Sequence, residues 1–181
     1  MPRDEDRIVS QPEVLLQARL FRVERLMMLG KDGAVHTREI IRHPGAVVIL
    51  PLVDDGRIAL IRNYRVAVEE SLIELPAGTL EPGEDPRKAA YRELAEETGY
   101  RAGSMELLTS FYSSPGILDE RMHLFLATGL QPGPMALEGG EQIEPLLGTW
   151  EQALEMVREG RIRDAKTLTG LLYYDAFRRR R

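Results

Sequence analysis

The stretch at residues 78–100, GTLEPGEDPRKAAYRELAEETGY, constrains this chain most, because a loop rich in proline and glycine runs into a helix rich in carboxylates. Asp85 is a suitable N-cap, and Pro86 suits a first helical position, where the missing N–H has no helical partner to lose. Gly99 can take the left-handed conformation that ends a helix. The sequence therefore predicts a helix over Pro86–Thr98.

Three glutamates of this helix, Glu93, Glu96 and Glu97, share one face because they are spaced i, i+3 and i+4. Two such charges about 5 Å apart repel by about 3 kcal/mol at an effective dielectric constant of about 20. A hard divalent cation would remove that cost. With oxygen ligands, and no cysteine in the chain, Mg²⁺ or Mn²⁺ fits better than zinc. For such a run on its own, a solvated acidic face is the alternative interpretation.

The whole stretch resembles the Nudix box, G-x5-E-x7-R-E-[apolar]-x-E-E-x-G-[apolar]. The matching residues are Gly78, Glu84, Arg92, Glu93, Leu94, Glu96, Glu97, Gly99 and Tyr100. The resemblance implies the Nudix fold, an α+β (α/β sandwich) architecture with a mixed β-sheet between helices. It also implies a Nudix hydrolase that cleaves a nucleoside diphosphate linked to another moiety, with Mg²⁺ held by the box glutamates. Arg92 would then hold a glutamate in position.

Apolar periodicity and turn residues predict strands interleaved with two further helices. The run AVVILPLV at 46–53 is continuous and apolar, as expected of a central strand that is buried on both faces. Thr149 and Gln152 form a capping box for a helix over 150–159, and a last helix starts after Asp164. The other predicted strands are two within 14–29, a weak one at 36–41, and those at 57–65, 71–75, 105–110, 123–127 and 143–147.

Composition excludes several classes of protein. With 181 residues, 43% of them hydrophobic, the chain is long enough for one domain with a real core. No apolar run approaches the length of about 18 residues that a membrane span needs, and the charged N-terminus is unlike a signal peptide. A net charge of −5 argues against a general nucleic-acid binder. These features predict a soluble cytoplasmic protein, and the resemblance implies a small-molecule nucleotide substrate for it.

Outside the box, the chain resembles the ADP-ribose pyrophosphatase branch of the Nudix family. Members carry a proline about fifteen positions past the box, where this chain has Pro115 in FYSSPGILDERMHLFLA, and LPAGTLEPGE before the helix is also similar. The resemblance implies nucleotide or ribose contacts for Phe21, Arg38, Glu39, Arg65, Thr79 and Pro115. A strand-face charge for Arg65 and a core aromatic for Phe21 are the alternatives.

The same resemblance implies hydrolysis of ADP-ribose to AMP and ribose 5-phosphate, with two or three Mg²⁺ ions per site (Mn²⁺ is possible). The implied metal ligands are the Ala77 carbonyl, Glu93, Glu96, Glu97 and Glu141. Two alternatives stay open. One is another Nudix substrate, such as a GDP-sugar, NADH or a dinucleoside polyphosphate, and the other is a Nudix module that senses a nucleotide without cleaving it. The intact box argues against the sensor.

The general base is expected in the loop before the penultimate strand, which here reads EGGEQIE at 138–144. Relatives often carry the base where this chain has Gly139. Glu141 matches the metal-contacting acid of the family and is our first expectation, with Glu138 second and the box residue Glu96 third. Glycines favour closure of such a loop over bound substrate.

The N-terminal part predicts self-association. Leu15, Leu16, Leu20, Met27 and Met28 present more apolar surface than a free extension should leave in water. Together with the resemblance, this predicts a homodimer in which an N-terminal strand extension, 1–41, crosses to the partner and the Nudix hydrolase domain occupies 42–181.

Overall fold

The computed structural model describes residues 8–137 and 142–179, which fall into two compact units. Unit 1 comprises Met1–Gly45 and Tyr112–Arg121, and unit 2 comprises Ala46–Phe111 and Met122–Arg181. The elements in chain order are β1 (Glu13–Gln17), β2 (Arg22–Leu29), β3 (Val35–Arg42), β4 (Ala46–Pro51), β5 (Arg57–Arg65), β6 (Glu70–Glu74), β7 (Ala77–Thr79), α1 (Pro86–Thr98), β8 (Tyr100–Arg101), β9 (Ser104–Tyr112), β10 (Arg121–Thr128), β11 (Gln131–Pro132), β12 (Ile143–Thr149), α2 (Trp150–Arg158) and α3 (Ala165–Phe177).

Unit 1 is built on an antiparallel sheet in the order β1-β2-β3. A bulge between Val14 and Leu16 interrupts the pairing of β1 with β2. The loop before β10 continues the unit, because the Ile41 N–H donates to the Ile117 carbonyl at 2.8 Å and the Asp119 N–H donates to the Ile41 carbonyl at 3.1 Å. The two strands predicted within 14–29 are confirmed, and the weak one at 36–41 is a full strand.

The centre of unit 2 is β4, which pairs in parallel with β10 in a mixed sheet of order β7-β4-β10-β9. Every residue of β4 is buried. Val48 and Leu50 face a core cluster that contains Trp150 and Leu171 from the C-terminal helices, and Val47 and Ile49 face a second cluster that contains Ala90 and Leu94 of α1. Burial on both faces explains the continuous apolar run, and helices on both sides of a mixed sheet confirm the α+β class.

A second sheet of unit 2, in the order β12-β5-β6, is antiparallel. Its register places Glu74 opposite Ile61 and Glu70 opposite Arg65. The strands predicted at 57–65, 71–75 and 143–147 are confirmed. The short strands β7, β8 and β11 were not predicted, because two or three residues carry no periodicity and become strands only through their partners.

The helix boundaries follow their capping residues closely. Asp85 accepts hydrogen bonds from the first-turn N–H groups of α1, and Gly99 ends that helix at φ 72°. Thr149 and Gln152 form the predicted capping box of α2. Asp164 accepts from the Thr167 N–H at the start of α3. Among the helices described, none combines the length and the apolar character needed to cross a bilayer.

Candidate active site

Helix α1 presents the box carboxylates Glu93 and Glu96 beside its buried stripe, and Glu97 is buried with that stripe. Ala90 and Leu94 are fully buried against the sheet of β4, whereas the side chains of Glu93 and Glu96 are 12% and 28% exposed. Packing of the apolar stripe fixes the rotation of the helix about its axis. The packing of the apolar stripe therefore holds Glu93 and Glu96 at a partly open surface.

Arg92 is the cation that joins these carboxylates. Its Nη1 donates to Glu93 at 2.7 Å and to Glu96 at 3.0 Å, while Nε and Nη2 donate to the two carboxylate oxygens of Glu84 at 3.2 and 3.1 Å. The hydrogen bond from Arg92 holds the pKa of Glu84 below its ordinary value, and the pKa of Arg92 is raised chiefly by the same contact. The planar guanidinium thus binds three box glutamates together, whereas the resemblance implied such a contact with one.

Glu97 is the box carboxylate that is buried, with 3% of its surface exposed. Its Oε2 accepts a hydrogen bond of 2.9 Å from the backbone N–H of Ala77. Ala77 lies in β7, which pairs with β4 so that Ala77 faces Val48 and Thr79 faces Ala46. The contact brings the backbone at Ala77, the predicted carbonyl ligand, next to the glutamate face of α1.

Gly78 lets the strand approach this face closely. A Cβ atom placed on Gly78 would lie 1.9 Å from the carboxyl carbon of Glu93. No side chain can be accommodated at that distance without moving the carboxylate or the strand. The first glycine of the box is therefore required by the position of Glu93.

A divalent cation fits these residues by donor chemistry. Glu93, Glu96 and Glu97 supply carboxylate oxygens and Ala77 a carbonyl oxygen, the donor types that Mg²⁺ and Mn²⁺ prefer. Across residues 8–137 and 142–179, no three or more His, Cys, Asp or Glu side chains converge as a ready ligand group. Glu93 and Glu96 instead share Arg92, so a cation has to compete with the guanidinium for their oxygens.

Arg65 is held by a buried carboxylate in unit 2. Its Nε and Nη2 donate to the two oxygens of Glu74 at 2.8 and 2.6 Å. Lys166 reaches the same carboxylate from α3 and also lies 3.0 Å from Asp164. Sequence reasoning did not single out Glu74 or Lys166. A glutamate at the end of an apolar strand, and a lysine in the first turn of an apolar helix, were the available signals.

Four of the predicted substrate residues, Phe21, Arg38, Glu39 and Pro115, lie in unit 1. Arg38 and Glu39 are exposed on β3, and Glu39 accepts a hydrogen bond of 3.1 Å from Arg25 on β2. Phe21 is 38% exposed, which does not fit the interpretation as a core aromatic. The structure thus leaves these side chains available to a ligand.

Pro115 lines a cleft of about 230 Å³ in unit 1. Its walls are mostly apolar, with one cation and one carboxylate, and the residues are Ile40, Arg42, Tyr112, Pro115, Ile117, Leu118 and Asp119. Arg42 is fixed there by hydrogen bonds of 2.8 Å to Glu24 and 3.0 Å to Asp119. Of the three predicted candidates for the general base, Glu138 and Glu141 lie outside the described residues.

A larger cleft of about 380 Å³ in unit 2 lies away from the box. It is lined by residues of β5, β6, β12 and α2, among them Leu60, Leu146 and Met156. We place the candidate site at the box because carboxylates, an arginine fork and a close backbone approach supply chemistry there. The volume of a cleft alone does not indicate that a reaction takes place in it.

Comparison with known proteins gives consistent family assignments. A family model described as NUDIX domain matches residues 41–169. The chain is 44% identical over 144 residues to a Methanol dehydrogenase activator of Bacillus methanolicus, and 42% identical over 144 residues to an ADP-ribose pyrophosphatase of Bacillus subtilis. Each match covers 78% of both chains.

A GDP-mannose pyrophosphatase of Cronobacter sakazakii is 39% identical over 176 residues, covering 90% of this chain and 88% of that protein. Among solved structures, an ADP compounds hydrolase superposes with a TM-score of 0.82 at 24% identity, covering 94% of this chain and 92% of the other. At that identity the superposition shows the fold alone.

Proposed function

The chain belongs to the NUDIX family, and from that premise we propose that it hydrolyses the pyrophosphate bond of ADP-ribose to AMP and ribose 5-phosphate. The observation that carries this proposal is the set of three box glutamates bound by Arg92 beside the Ala77 strand. A sensor that only binds a nucleotide has no use for so many carboxylates on one face. The substrate is proposed from the ADP-ribose pyrophosphatase of Bacillus subtilis.

The catalytic cofactor is proposed to be Mg²⁺, with Mn²⁺ as a substitute, in two or three sites. Glu93, Glu96, Glu97 and the Ala77 carbonyl would hold it, with Glu141 as a further ligand. When bound, such a cation offsets the negative charge of the pyrophosphate oxygens and makes a neighbouring water more acidic. Arg92 keeps the glutamates correctly spaced and is an outer partner of these ligands.

In the proposed reaction, a water oxygen bonds to the adenosyl phosphorus while the bond from that phosphorus to the bridging oxygen breaks. The bridging oxygen leaves with ribose 5-phosphate, and the water oxygen stays on AMP. The proton of the water goes to one carboxylate. We propose Glu141 for this role, with Glu138 as the second candidate and Glu96 as the third. Such proton transfer contributes about 10² to 10⁴ in rate.

Substrate binding is proposed for six residues. The guanidinium of Arg65 suits the pyrophosphate, since a planar cation binds phosphate oxygens in pairs. Phe21 offers an exposed ring for stacking on the base. Arg38, Glu39, Thr79 and Pro115 are proposed as further contacts to the nucleotide or ribose.

A homodimer completes the proposal. Unit 1 exposes apolar side chains along β1 and the turn after it, with exposed fractions of 54% for Val14, 52% for Leu16 and 43% for Leu20. Contiguous apolar surface of this kind marks an interaction site. We propose that a second copy of the chain covers it and that the N-terminal strands, 1–41, form the interface.

A substrate panel tests the function. ADP-ribose, GDP-mannose, NADH and a dinucleoside polyphosphate are incubated with the protein and Mg²⁺, and phosphate monoester products are separated by chromatography. We expect the highest kcat/KM for ADP-ribose, with AMP and ribose 5-phosphate as products. A preference for GDP-mannose would contradict the proposed substrate, but the proposed reaction class, hydrolysis of a pyrophosphate bond, would stand. The activator name of the Bacillus methanolicus relative states no substrate and does not decide among them.

The same panel is repeated with Glu93→Gln, Glu96→Gln and Glu97→Gln. We expect each variant to lose at least about 10² in turnover while it remains folded, because an amide keeps the shape of the side chain and loses its charge. Glu155→Gln, on the exposed face of α2, is the control. Turnover that survives in all three box variants would contradict the proposed site.

A further inference from the structure

Unit 2 contains a cluster of four charged side chains, Arg65, Glu74, Lys166 and Asp164, of which the last three are largely buried. Glu74 has no exposed surface, and its carboxylate contacts both Arg65 and Lys166. Lys166 is 8% exposed and is held from its other side by Asp164 at 3.0 Å. Two cations and two carboxylates therefore lie in one group between β5, β6 and the start of α3.

Stability alone gives a poor account of this cluster. Desolvation of buried charges costs about as much as their attraction returns, and apolar replacements of similar volume are often as stable or more so. Ile73 and Leu75, which flank Glu74 in the chain, and Leu171 of α3 are apolar and each at least nine-tenths buried. A hydrophobic contact at this position would therefore be expected to serve the fold as well.

Arg65 is the most exposed member of the cluster. The side chain of Arg65 is 41% exposed, compared with 1% for Glu74, 9% for Lys166 and 16% for Asp164. Arg65 binds Glu74 through Nε and Nη2, which lie on one edge of the guanidinium. The opposite edge of the same plane consequently faces away from Glu74 and carries further N–H donors.

Arg65 is connected with the box by the charge of Glu97 and by the segment that runs from Glu74 to Ala77. The pKa of Arg65 is raised chiefly by its hydrogen bond to Glu74, and the negative charge of the box residue Glu97 acts in the same direction. The strand that leaves Glu74 is also anchored, because the Leu75 N–H donates to Thr167 Oγ1 at 2.8 Å. Two residues further along, the Ala77 N–H binds Glu97.

We propose that Glu74 and Lys166 are positioning residues, which hold the guanidinium of Arg65 so that its free edge faces the pyrophosphate of a nucleoside diphosphate substrate. Lys166 donates to Glu74 Oε2 and so restrains the carboxylate, and the two oxygens of that carboxylate restrain the plane of the Arg65 guanidinium. The assignment rests on the proposed function of the site. It adds two buried residues that touch no substrate and act through the one that does.

A double-mutant cycle tests the assignment. Lys166→Met and Glu74→Gln are each made in the wild-type and in the Arg65→Ala background, and kcat/KM is measured with the substrate that the panel identifies. In the wild-type background we expect losses of about 10-fold for Lys166→Met and up to about 100-fold for Glu74→Gln, since a small misplacement of a binding group has effects of this size. In the Arg65→Ala background we expect further losses of less than about 2-fold, because the group being positioned is gone.

Binding supplies a second measurement that does not depend on turnover. Calorimetry with ADP-ribose in EDTA should show weaker binding for Lys166→Met than for the wild-type protein, and equal binding for Arg65→Ala with and without Lys166→Met. Lys166→Arg, which keeps a cation beside Glu74, should recover most of the affinity. Lys166→Met keeps Glu74 paired with Arg65, so the test remains available if Glu74→Gln does not fold.

Leu171→Ala is the matched control, because Leu171 lies on the same helix, is fully buried and contacts none of the four charges through hydrogen bonds. Any effect of this cavity on kcat/KM should be the same in both backgrounds. Equal losses from Lys166→Met in both backgrounds would overturn the assignment and make the cluster structural. Absence of ADP-ribose turnover by the wild-type protein would instead contradict the proposed substrate, and the cycle would proceed with the substrate that is cleaved.

Discussion

The backbone N–H of Ala77 donates to the carboxylate of Glu97 at 2.9 Å, and this contact ties the strand before the box to the helix that ends it. Glu97 is thereby oriented by the same residue whose carbonyl is proposed to bind the cation. The N–H of Ala77 is thus hydrogen-bonded to a glutamate, and the carbonyl of the same residue is proposed to bind the metal. The predictions below ask how tightly this arrangement is coupled to activity.

Gly78→Ala should remove activity without a charge change. The added Cβ would lie 1.9 Å from the Glu93 carboxyl carbon, so the carboxylate or β7 must move. We expect kcat to fall by about 10²-fold and Mn²⁺ binding, followed by electron paramagnetic resonance, to weaken. Gly148→Ala is the control, because its Cβ would meet Gln152 at an ordinary 3.5 Å. Normal kcat in Gly78→Ala would show that Glu93 need not keep this position.

Arg92→Lys should cost activity although the charge is kept. A lysine has no planar fork, so it cannot bind Glu84, Glu93 and Glu96 together as the guanidinium does. We expect a loss of about 10- to 100-fold in kcat/KM and a higher concentration of Mg²⁺ for half-maximal rate. Arg87→Lys, on the exposed side of the same helix, should leave both values unchanged. If Arg92→Lys behaves like that control, the fork is not needed.

Glu24→Gln should lower stability at neutral pH. Glu24 is 3% exposed and is bound by Arg42 and Arg22, and the hydrogen bond from Arg42 is the main cause that lowers its pKa. Because the folded pKa lies below the unfolded value of about 4.3, the carboxylate stabilises the folded state above that pH and ceases to do so as the pH falls through the folded pKa. We expect a loss of about 2 to 4 kcal/mol in the free energy of unfolding at pH 7.

Urea unfolding between pH 7 and pH 3 measures this effect. The difference between wild type and Glu24→Gln should shrink as the pH falls below about 4.3. Glu13→Gln is the control, since Glu13 pairs with Arg25 at 3.4 Å with 62% of its side chain exposed, and should change stability by less than about 0.5 kcal/mol. A difference that is constant with pH would show that the charge of Glu24 is not involved.

Leu16→Asp should separate the proposed dimer. Leu16 is 52% exposed in unit 1, and burying a carboxylate in an apolar interface is costly. In sedimentation equilibrium at micromolar concentration, we expect a dimer for the wild-type protein and a monomer for Leu16→Asp. Phe177→Asp, at an exposed apolar position of unit 2, should remain dimeric. A monomeric wild-type protein would contradict the proposed assembly.

The pH dependence of turnover should identify the general base. Glu141→Gln and Glu138→Gln are compared with the wild-type protein at saturating Mg²⁺. Loss of the base should lower turnover by about 10² to 10⁴ and abolish the acidic limb of the profile. We expect this result for Glu141→Gln. If both variants keep the acidic limb, the base lies among the box glutamates, with Glu96 first.

Local signals in the sequence were sufficient to predict the helix ends and the buried central strand. The capping residues Asp85, Gly99 and Thr149 set helix ends within a few residues, and the apolar run in β4 predicted burial on both faces. The resemblance to the Nudix box implied that Arg92 holds one glutamate, and in the structure Arg92 contacts Glu93 and Glu96, which lie within about one helical turn of it. The box could therefore be interpreted from the chain alone.

Contacts between distant residues could not be predicted in this way. Arg42 binds Asp119, a residue 77 positions away, and Lys166 binds Glu74 at a separation of 92. Neither pair has a spacing that local periodicity can reveal, because the partners meet only through tertiary packing. The membership of Tyr112–Arg121 in unit 1 has the same origin.

The hydrogen bond from Leu75 to Thr167 also has a consequence for biosynthesis. Its partners are 92 positions apart, so a ribosome that adds about 5 to 20 residues per second needs about 5 to 20 seconds to supply the second after the first. Parallel pairing of β4 with β10 imposes a similar delay and slows closure further, since distant pairings form late in folding. During that interval α1 is already synthesised, but Leu75 does not yet have its hydrogen bond to Thr167. We therefore expect a nascent chain that ends before α3 to contain the complete box and yet lack catalytic activity.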